Sequence, residues 1–159
     1  MYLVTQDGLY KSENGASPVE INSGIKTACP QCDVQETLSL SPLGIKDGYL
    51  MLVTNSTNNP REEIYKTVDG CKTWQKIGNA PTIGASYGTI HAADVQGLHF
   101  YLLHHYDNNL YETLDGAKSW KNIGAEFGTG IYIHQISDTR HFPLIISTSR
   151  GIYLRVIEN

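Results

Sequence analysis

The pair Cys29-Pro-Gln-Cys32 has the residue types and spacing that suit metal binding or thiol redox chemistry. A c-type haem attachment site needs a histidine directly after the second cysteine, and a zinc ribbon needs a second CxxC pair. The chain has neither. Three interpretations of the pair therefore stay open: a local disulfide, two free thiols, or a zinc site completed by residues that are distant in the sequence.

His91 and His134 are the residues with which we would complete a zinc site. They hold equivalent positions in two predicted strands, 89–92 and 132–135, and the loop that carries the cysteines leads into another strand of this kind. Two cysteines and two histidines form a tetrahedral ligand set that zinc accepts. The alternative is that both histidines are repeat-equivalent polar residues bonded to water. No cofactor is required by the sequence, and zinc held by Cys29, Cys32, His91 and His134 is the possible exception.

The elements that position these residues follow from a peptide that the chain contains twice. Residues 64–78 return without a gap as residues 110–124, with Asp69-Gly70 matching Asp115-Gly116. Each copy predicts a strand, a tight turn at Asp-Gly, and a second strand opened by tryptophan. A degenerate copy with Asn14 in place of aspartate lies at 9–16. A repeat of this length predicts an array of supersecondary units.

The two turns resemble the Asp-box, or BNR, repeat, which occurs in sialidases, sortilin-like receptors and photosystem II assembly factors. The matching residues are Thr67, Asp69, Gly70, Thr73 and Trp74 in the first copy, and Thr113, Asp115, Gly116, Ser119 and Trp120 in the second. Proteins of that family are β-propellers, and the box lies on the outer hairpin of a blade and serves structure. The resemblance therefore implies an all-β propeller with antiparallel four-stranded blades.

Strand counting predicts a single domain over residues 1–159 with about four blades, at 1–23, 35–78, 88–124 and 130–157. The first blade lacks its inner strand and the last lacks its outer strand, so both end blades are three-stranded. The chain then either closes into a small ring or pairs its ends with another copy or with the remainder of a longer chain. We favour an assembly or a fragment of a longer chain over a closed ring, since two incomplete end blades close poorly and unpaired sheet edges invite pairing.

The loops opposite the Asp-box turns carry the most varied side chains. Loops on a rigid scaffold are the usual location of function, so we predict that this face binds a protein or a glycan. For each residue the alternative is an ordinary solvated loop position. The candidate ligand-binding residues are Arg61, Glu62, Glu63, Tyr87, His104, His105, Tyr106, Asp107, Phe127 and Arg150.

Charge and composition argue against other partners. The net charge is −4, and the 12 lysines and arginines form no cluster, which disfavours nucleic acid and a basic membrane-binding patch. No apolar segment approaches the length of a membrane-spanning helix. The first residues predict a strand rather than a signal peptide, whereas the family resemblance favours a secreted protein.

The resemblance to sialidases raises glycoside hydrolysis as an alternative function. Those enzymes resemble one another in an arginine cluster, a tyrosine nucleophile paired with glutamate, and an acid/base aspartate. This chain has four arginines and no Arg-Ile-Pro-like motif before the first box, and the adjacent Glu62 and Glu63 give no two-carboxylate geometry. We predict no catalytic residue and a non-catalytic binding or assembly module. The alternative is a fragment or subunit of a larger propeller hydrolase, or a metal-binding propeller.

Overall fold

A computed structural model describes residues 1–5, 8–44, 48–55, 61–81, 88–105, 108–128, 131–137 and 144–155, with the backbone alone at 33–38, 54, 55 and 61. Within these ranges the chain forms fourteen strands, one short α-helix and one 3₁₀ turn. None of the described helices is long and apolar enough to cross a membrane.

The strands form four antiparallel sheets in chain order. Blade 1 contains β1 (Tyr2–Thr5), β2 (Gly8–Lys11) and β3 (Val19–Glu20). Helix α1 (Ser23–Ala28) leads to blade 2, which contains β4 (Cys32–Pro42), β5 (Tyr49–Asn55), β6 (Arg61–Thr67) and β7 (Gln75–Asn79). Blade 3 contains β8 (Gly88–Ala92), β9 (Phe100–His104), β10 (Asn109–Thr113) and β11 (Lys121–Asn122), followed by the 3₁₀ turn Gly124–Phe127. Blade 4 contains β12 (Ile133–Ile136), β13 (Leu144–Thr148) and β14 (Gly151–Arg155).

The strand tally confirms the all-β fold of about four blades with three-stranded end blades. In each sheet the hydrogen-bonded neighbours follow one another in sequence order, as in an antiparallel propeller blade. Helix α1 is a departure from the loop that the sequence predicts between blades 1 and 2. Its six residues bury only Gly24 and Ile25, so the segment is too short to show a helical period in the sequence.

The described residues form three apolar core clusters, each between two consecutive blades. We call the side of a blade that meets the next blade in the chain its forward face, and the opposite side its backward face. Successive side chains of a strand point to opposite faces. In β5, Met51 and Val53 therefore pack backward against blade 1 and α1, while Leu50 and Leu52 pack forward against blade 3.

Repeat-equivalent residues hold the same place in each of these clusters. Leu9, Ile64 and Leu110 each precede the tyrosine of the repeated strand, and each is 0% exposed on the forward face of its blade. Burying an aliphatic side chain of this size contributes about 1.5–3 kcal/mol. The repeated peptide thus encodes a repeated contact between blades as well as a repeated hairpin.

Candidate functional site

The first Asp-box turn is held together by Asp69. One carboxylate oxygen accepts the backbone N–H groups of Lys72 and Thr73 at 3.1 and 3.0 Å, and the other accepts the Thr73 hydroxyl at 2.6 Å. The Thr73 hydroxyl and backbone N–H, which favour the ionised form, lower the pKa of Asp69 to about 2. Gly70 and Cys71 have φ of 73° and 66°, so the turn needs the left-handed region twice in succession.

The second turn repeats these contacts atom for atom. Asp115 accepts the backbone N–H groups of Lys118 and Ser119 at 3.1 and 2.9 Å and the Ser119 hydroxyl at 2.6 Å. The Ser119 hydroxyl and backbone N–H lower the pKa of Asp115 to about 2. Both carboxylates therefore bind donors within their own turn, which is the geometry of a structural turn.

The two box tryptophans differ in their surroundings. The Trp120 indole N–H donates to the Asn79 carbonyl at 3.0 Å, and its ring meets Phe100 edge-on at 5.4 Å. Trp74 packs with Ile25 of α1 in the cluster between blades 1 and 2 and is 6% exposed. Its indole N–H has no hydrogen-bond partner among the described residues. Helix α1 thus changes the contacts of the first box tryptophan.

Cys29 and Cys32 form a disulfide at the start of blade 2. Cys29 directly follows α1, Cys32 begins β4, and they are 0% and 7% exposed. The Cys29 N–H donates to the Ile25 carbonyl at 2.7 Å and the Cys32 N–H to the Cys29 carbonyl at 3.1 Å, which fixes the intervening turn. Of the three interpretations of the pair, the structure has the local disulfide.

Glu63 brings a carboxylate to this disulfide. Its Oε2 atom lies 3.9 Å from both sulfur atoms and accepts the Tyr65 hydroxyl at 2.7 Å. Its Oε1 atom accepts the Lys76 ammonium at 2.6 Å. Burial and the neighbouring Glu63 carboxylate raise the pKa of Tyr65, so this phenol stays protonated and donates. The result is a buried carboxylate with a cation on one oxygen and two sulfurs beside the other.

The structure does not bring the cysteines together with His91 and His134, which the sequence suggests as ligands of one zinc site. Among the described residues, one group of potential ligand atoms lies within 4.8 Å of one another, and it consists of Cys29, Cys32 and Glu63. His91 lies on β8 in blade 3 and His134 is exposed on β12 in blade 4. The cysteines pack between blades 1 and 2, so the sheet of blade 2 separates them from both histidines.

Two glutamates and a histidine that we expected in loops belong to strands. Glu62 and Glu63 are 1% and 6% exposed in β6, and His104 is 3% exposed at the end of β9. The hydrogen-bonded ladder between β5 and β6 continues to the pair Asn55 and Arg61. Glu62 and Glu63, for which the sequence predicts a loop, are therefore part of strand β6. Extending the ladder satisfies backbone groups that a loop would leave to water.

The other predicted loop residues lie in different settings. His105 and Arg150 are exposed in the turns after β9 and β13. Phe127 ends the 3₁₀ turn and meets the Tyr153 ring edge-on at 5.2 Å, so it contributes to packing between blades 3 and 4. Arg61 opens β6. Tyr87, Tyr106 and Asp107 lie outside the described residues.

Glu112 links blades 3 and 4. One of its oxygens accepts a hydrogen bond from the Arg155 guanidinium at 3.1 Å, and its other oxygen lies 3.1 Å from His99 Nε2. His99 and Arg155 lower the pKa of Glu112. Burial and the Glu112 carboxylate raise the pKa of the fully buried Tyr101. Glu112 is buried and is thus paired with two partly buried groups, one from its own blade and one from blade 4.

The forward face of blade 4 differs from those of the other blades in the exposure of its apolar side chains. Ile152 is 73% exposed, Leu154 is 66% exposed, and Ile145, the cross-strand neighbour of Leu154, is 39% exposed. Ile152 is the repeat equivalent of Leu9, Ile64 and Leu110. Among the described residues, no apolar cluster joins blade 4 to blade 1. This face therefore has the side chains of a contact between blades without a covering blade.

Comparison with known proteins supports the fold. No protein-family model and no curated protein matches the chain. The β-propeller domain of Nup133 from Vanderwaltozyma polyspora is similar over 95% of this chain and 50% of that chain, with 12% identity and a TM-score of 0.55. A structure of YCF48 bound to D1 peptide is similar over 77% of this chain and 51% of that chain, with 11% identity and a TM-score of 0.46. The chain spans about half the length of both, and the Nup133 likeness shows that its fold is that of a β-propeller.

The sequence predicts a loop position for Glu63, whereas the structure has it buried beside the disulfide. At its position in the repeat the other blades have Gly8, Asn109 and Gly151, each directly before the conserved aliphatic residue of its strand. Only blade 2, which meets the cysteines, has a carboxylate there. A comparison of the four copies at this position would have indicated that Glu63 has a role specific to blade 2.

Proposed function

We propose that this chain is a non-catalytic binding and assembly module of the Asp-box propeller type. The observation that carries the proposal is the exposed forward face of blade 4, formed by Ile145, Ile152 and Leu154. At the position of Ile152 the other three blades bury Leu9, Ile64 and Leu110 completely. A side chain that is buried in three copies and 73% exposed in the fourth supports a missing packing partner.

The partner that best fits this face is the backward face of blade 1 in a second copy. Leu3 and Tyr10 are cross-strand neighbours on that face and are only half-buried. Tyr10 is the repeat equivalent of Tyr65, which is 2% exposed because blade 1 and α1 cover it. Head-to-tail contact would bury both faces in the way that consecutive blades already do. Such a contact is heterologous and forms a ring when its rotation closes.

Light scattering at several protein concentrations tests this assembly. We expect a multiple of 17.6 kDa for the wild-type chain and a monomer for Ile152→Lys, because a buried lysine would be an unpaired charge. Val68→Lys is the matched control, since Val68 is 74% exposed in the first Asp-box turn and should leave the mass unchanged. A wild-type monomer at every concentration, or an assembly that survives Ile152→Lys, would contradict the proposal.

We further infer that the loop face is the recognition surface of the module for a protein or a glycan. His105 and Arg150 support this, because both are exposed in turns between the second and third strands of adjacent blades. An imidazole and a guanidinium on one face suit a carboxylate group of an acidic peptide or an acidic sugar. Binding of sialyllactose and of an acidic peptide should both be measured, with His105→Ala and Arg150→Ala as the test variants. If the double variant binds both ligands as tightly as the wild-type chain does, this inference is wrong.

A fluorogenic sialoside assay tests the non-catalytic part of the proposal. The resemblance to sialidases makes this substrate class the relevant one, and the buried glutamates of blade 2 are engaged with neighbouring groups. We expect no turnover above that of buffer. Turnover that is retained after repeated purification would overturn the assignment as a binding module.

A further inference from the structure

The cluster of Cys29, Cys32 and Glu63 has a geometry that a structural disulfide does not need. Both sulfur atoms lie 3.9 Å from the same carboxylate oxygen, and all three residues are buried. Burying a carboxylate is costly unless partners compensate it. The sulfurs of a disulfide have no hydrogen to donate, so in this oxidised state they do not compensate the carboxylate, whereas Tyr65 and Lys76 do.

We propose that Cys29, Cys32 and Glu63 form a redox-gated site for a divalent zinc ion, closed as the disulfide and open as the dithiol. A dithiol reductant opens it by exchange. The reductant's thiolate attacks one sulfur, its second thiol resolves the mixed disulfide, and the reductant leaves as a disulfide. Cys29 and Cys32 thereby gain two electrons and two protons. Zinc then displaces both thiol protons and takes two thiolates and one Glu63 oxygen as ligands.

Distances and backbone geometry suit this ligand set. Zn–S bonds of about 2.3 Å and Zn–O bonds of about 2.1 Å place sulfur and oxygen about 3.6 Å apart in a tetrahedral site. The observed separation of 3.9 Å needs only a small adjustment on the carboxylate side. The cysteine Cα atoms are 5.3 Å apart on a tight turn, and opening the disulfide lets the sulfurs separate by side-chain rotation. A water molecule would hold the fourth position, as in sites with three protein ligands.

Charge also balances in the reduced, metal-bound state. Two thiolates and one carboxylate carry three negative charges, which a divalent ion and the Lys76 ammonium neutralise. Lys76 bonds Oε1, so Oε2 remains the oxygen that faces the sulfurs. Tyr65 donates to Oε2 and lies 3.8 Å from the Cys32 sulfur, so it is placed to orient the ligands. The residues equivalent to Glu63 in the other blades are Gly8, Asn109 and Gly151, so this carboxylate is present only in the blade that contains the cysteines.

The experiment measures zinc and cobalt binding to the whole chain in the Cys71→Ala background. Cys71 is buried and takes no part in the disulfide. Ala117 occupies the equivalent position of the second turn with nearly the same φ, so Cys71→Ala removes the third thiol and is compatible with the turn. The protein is reduced with a phosphine, and thiols are counted before metal is added. Zinc is then quantified by elemental analysis, and cobalt by its thiolate charge-transfer and visible bands.

We expect one zinc per reduced chain, none per oxidised chain, and a cobalt spectrum typical of a tetrahedral site with two thiolates. Glu63→Gln should weaken zinc binding at least about tenfold. Glu126→Gln, which alters an exposed carboxylate in the 3₁₀ turn, should bind zinc like the background protein. Circular dichroism of each variant shows whether it is folded.

Three results would overturn the proposal. The disulfide could resist phosphine in the folded chain, the reduced chain could bind no metal, or Glu63→Gln could bind zinc as tightly as its background. The first two need no substitution at Glu63, so they decide the matter even where that variant fails to fold. None of these results depends on whether blade 4 binds a second copy.

Discussion

At the residue scale, Asp69 and Asp115 connect acid stability to the two box turns. Their pKa is about 2 in the folded chain against an ordinary value of 3.8, so the folded state binds fewer protons than the unfolded state between these values. Their contribution to stability is therefore complete above about pH 4 and is lost as the pH falls toward 2.

Thermal melts from pH 6 to pH 2 measure this contribution. We expect the melting temperature of the wild-type chain to fall more steeply below pH 4 than that of a variant with Asp69→Asn and Asp115→Asn, which lacks both titrating groups. The variant should also be less stable at pH 6, because an amide replaces one acceptor oxygen in each turn with a donor. Parallel pH profiles for the two proteins would show that the turns do not depend on ionised carboxylates.

The two box tryptophans give a second prediction at this scale. Trp74→Ala should cost about 3–5 kcal/mol of unfolding free energy, because the ring is 6% exposed and fills the cluster beneath α1. Trp120→Ala should cost less, since that ring is only partly buried. Urea unfolding of both variants is the measurement. A Trp74→Ala protein as stable as wild type would be incompatible with the described packing.

Residue-scale chemistry was only partly predictable from the sequence. The CxxC pair was visible by its spacing, but the choice between disulfide and thiols depends on which side chains surround it. The sequence predicts a loop position for Glu63, because no pattern in residues 61–63 indicates that β6 extends through them. Repeat equivalence alone predicts the histidine ligands, and it says nothing about distance across the sheet of blade 2.

At the element scale, helix α1 is the feature that distinguishes the first blade contact from the others. Gly24 approaches the first Asp-box turn so closely that an added Cβ would lie 2.6 Å from the Lys72 carbonyl oxygen and 2.7 Å from that of Cys71. Both neighbours are backbone atoms, so neither can rotate away. The helix therefore depends on glycine for close contact with the turn.

Gly24→Ala should consequently destabilise the chain even though alanine favours helix formation. Ser23→Ala in the same helix is the control. Ser23 is exposed, so we expect this substitution to change the free energy of unfolding little. Urea unfolding followed by tryptophan fluorescence measures both, because Trp74 packs beside α1. A Gly24→Ala protein that is equal to or more stable than Ser23→Ala would show that the helix can move without cost.

The last two strands of blades 2 and 3, and the turn between them, are predictable from the duplicated peptide, because each copy combines strand-forming residues with Asp-Gly turn chemistry. The strands outside that peptide are predictable from their short apolar, β-prone runs. Helix α1 occurs once, has six residues, and buries two of them, so neither repetition nor period indicates it.

At the scale of the whole molecule, the described residues form four consecutive blades, and apolar side chains are exposed on the forward face of blade 4 and half-buried on the backward face of blade 1. The forward face of blade 4 and the backward face of blade 1 have repeat-equivalent residues that are buried between the inner blades. The sequence predicted incomplete end blades from the strand tally. It could not show which faces stay exposed, because identical positions are buried or exposed according to what packs against them.

Crosslinking between defined positions is the most direct test of head-to-tail assembly. Chains with Ile152→Cys and chains with Tyr10→Cys, both in the Cys71→Ala background and with different isotope labels, are mixed and treated with a short bismaleimide. Head-to-tail packing predicts a mixed-label dimer joined between positions 152 and 10. Crosslinks only between two copies of position 152, or no crosslinked dimer at a concentration where light scattering shows assembly, would contradict it.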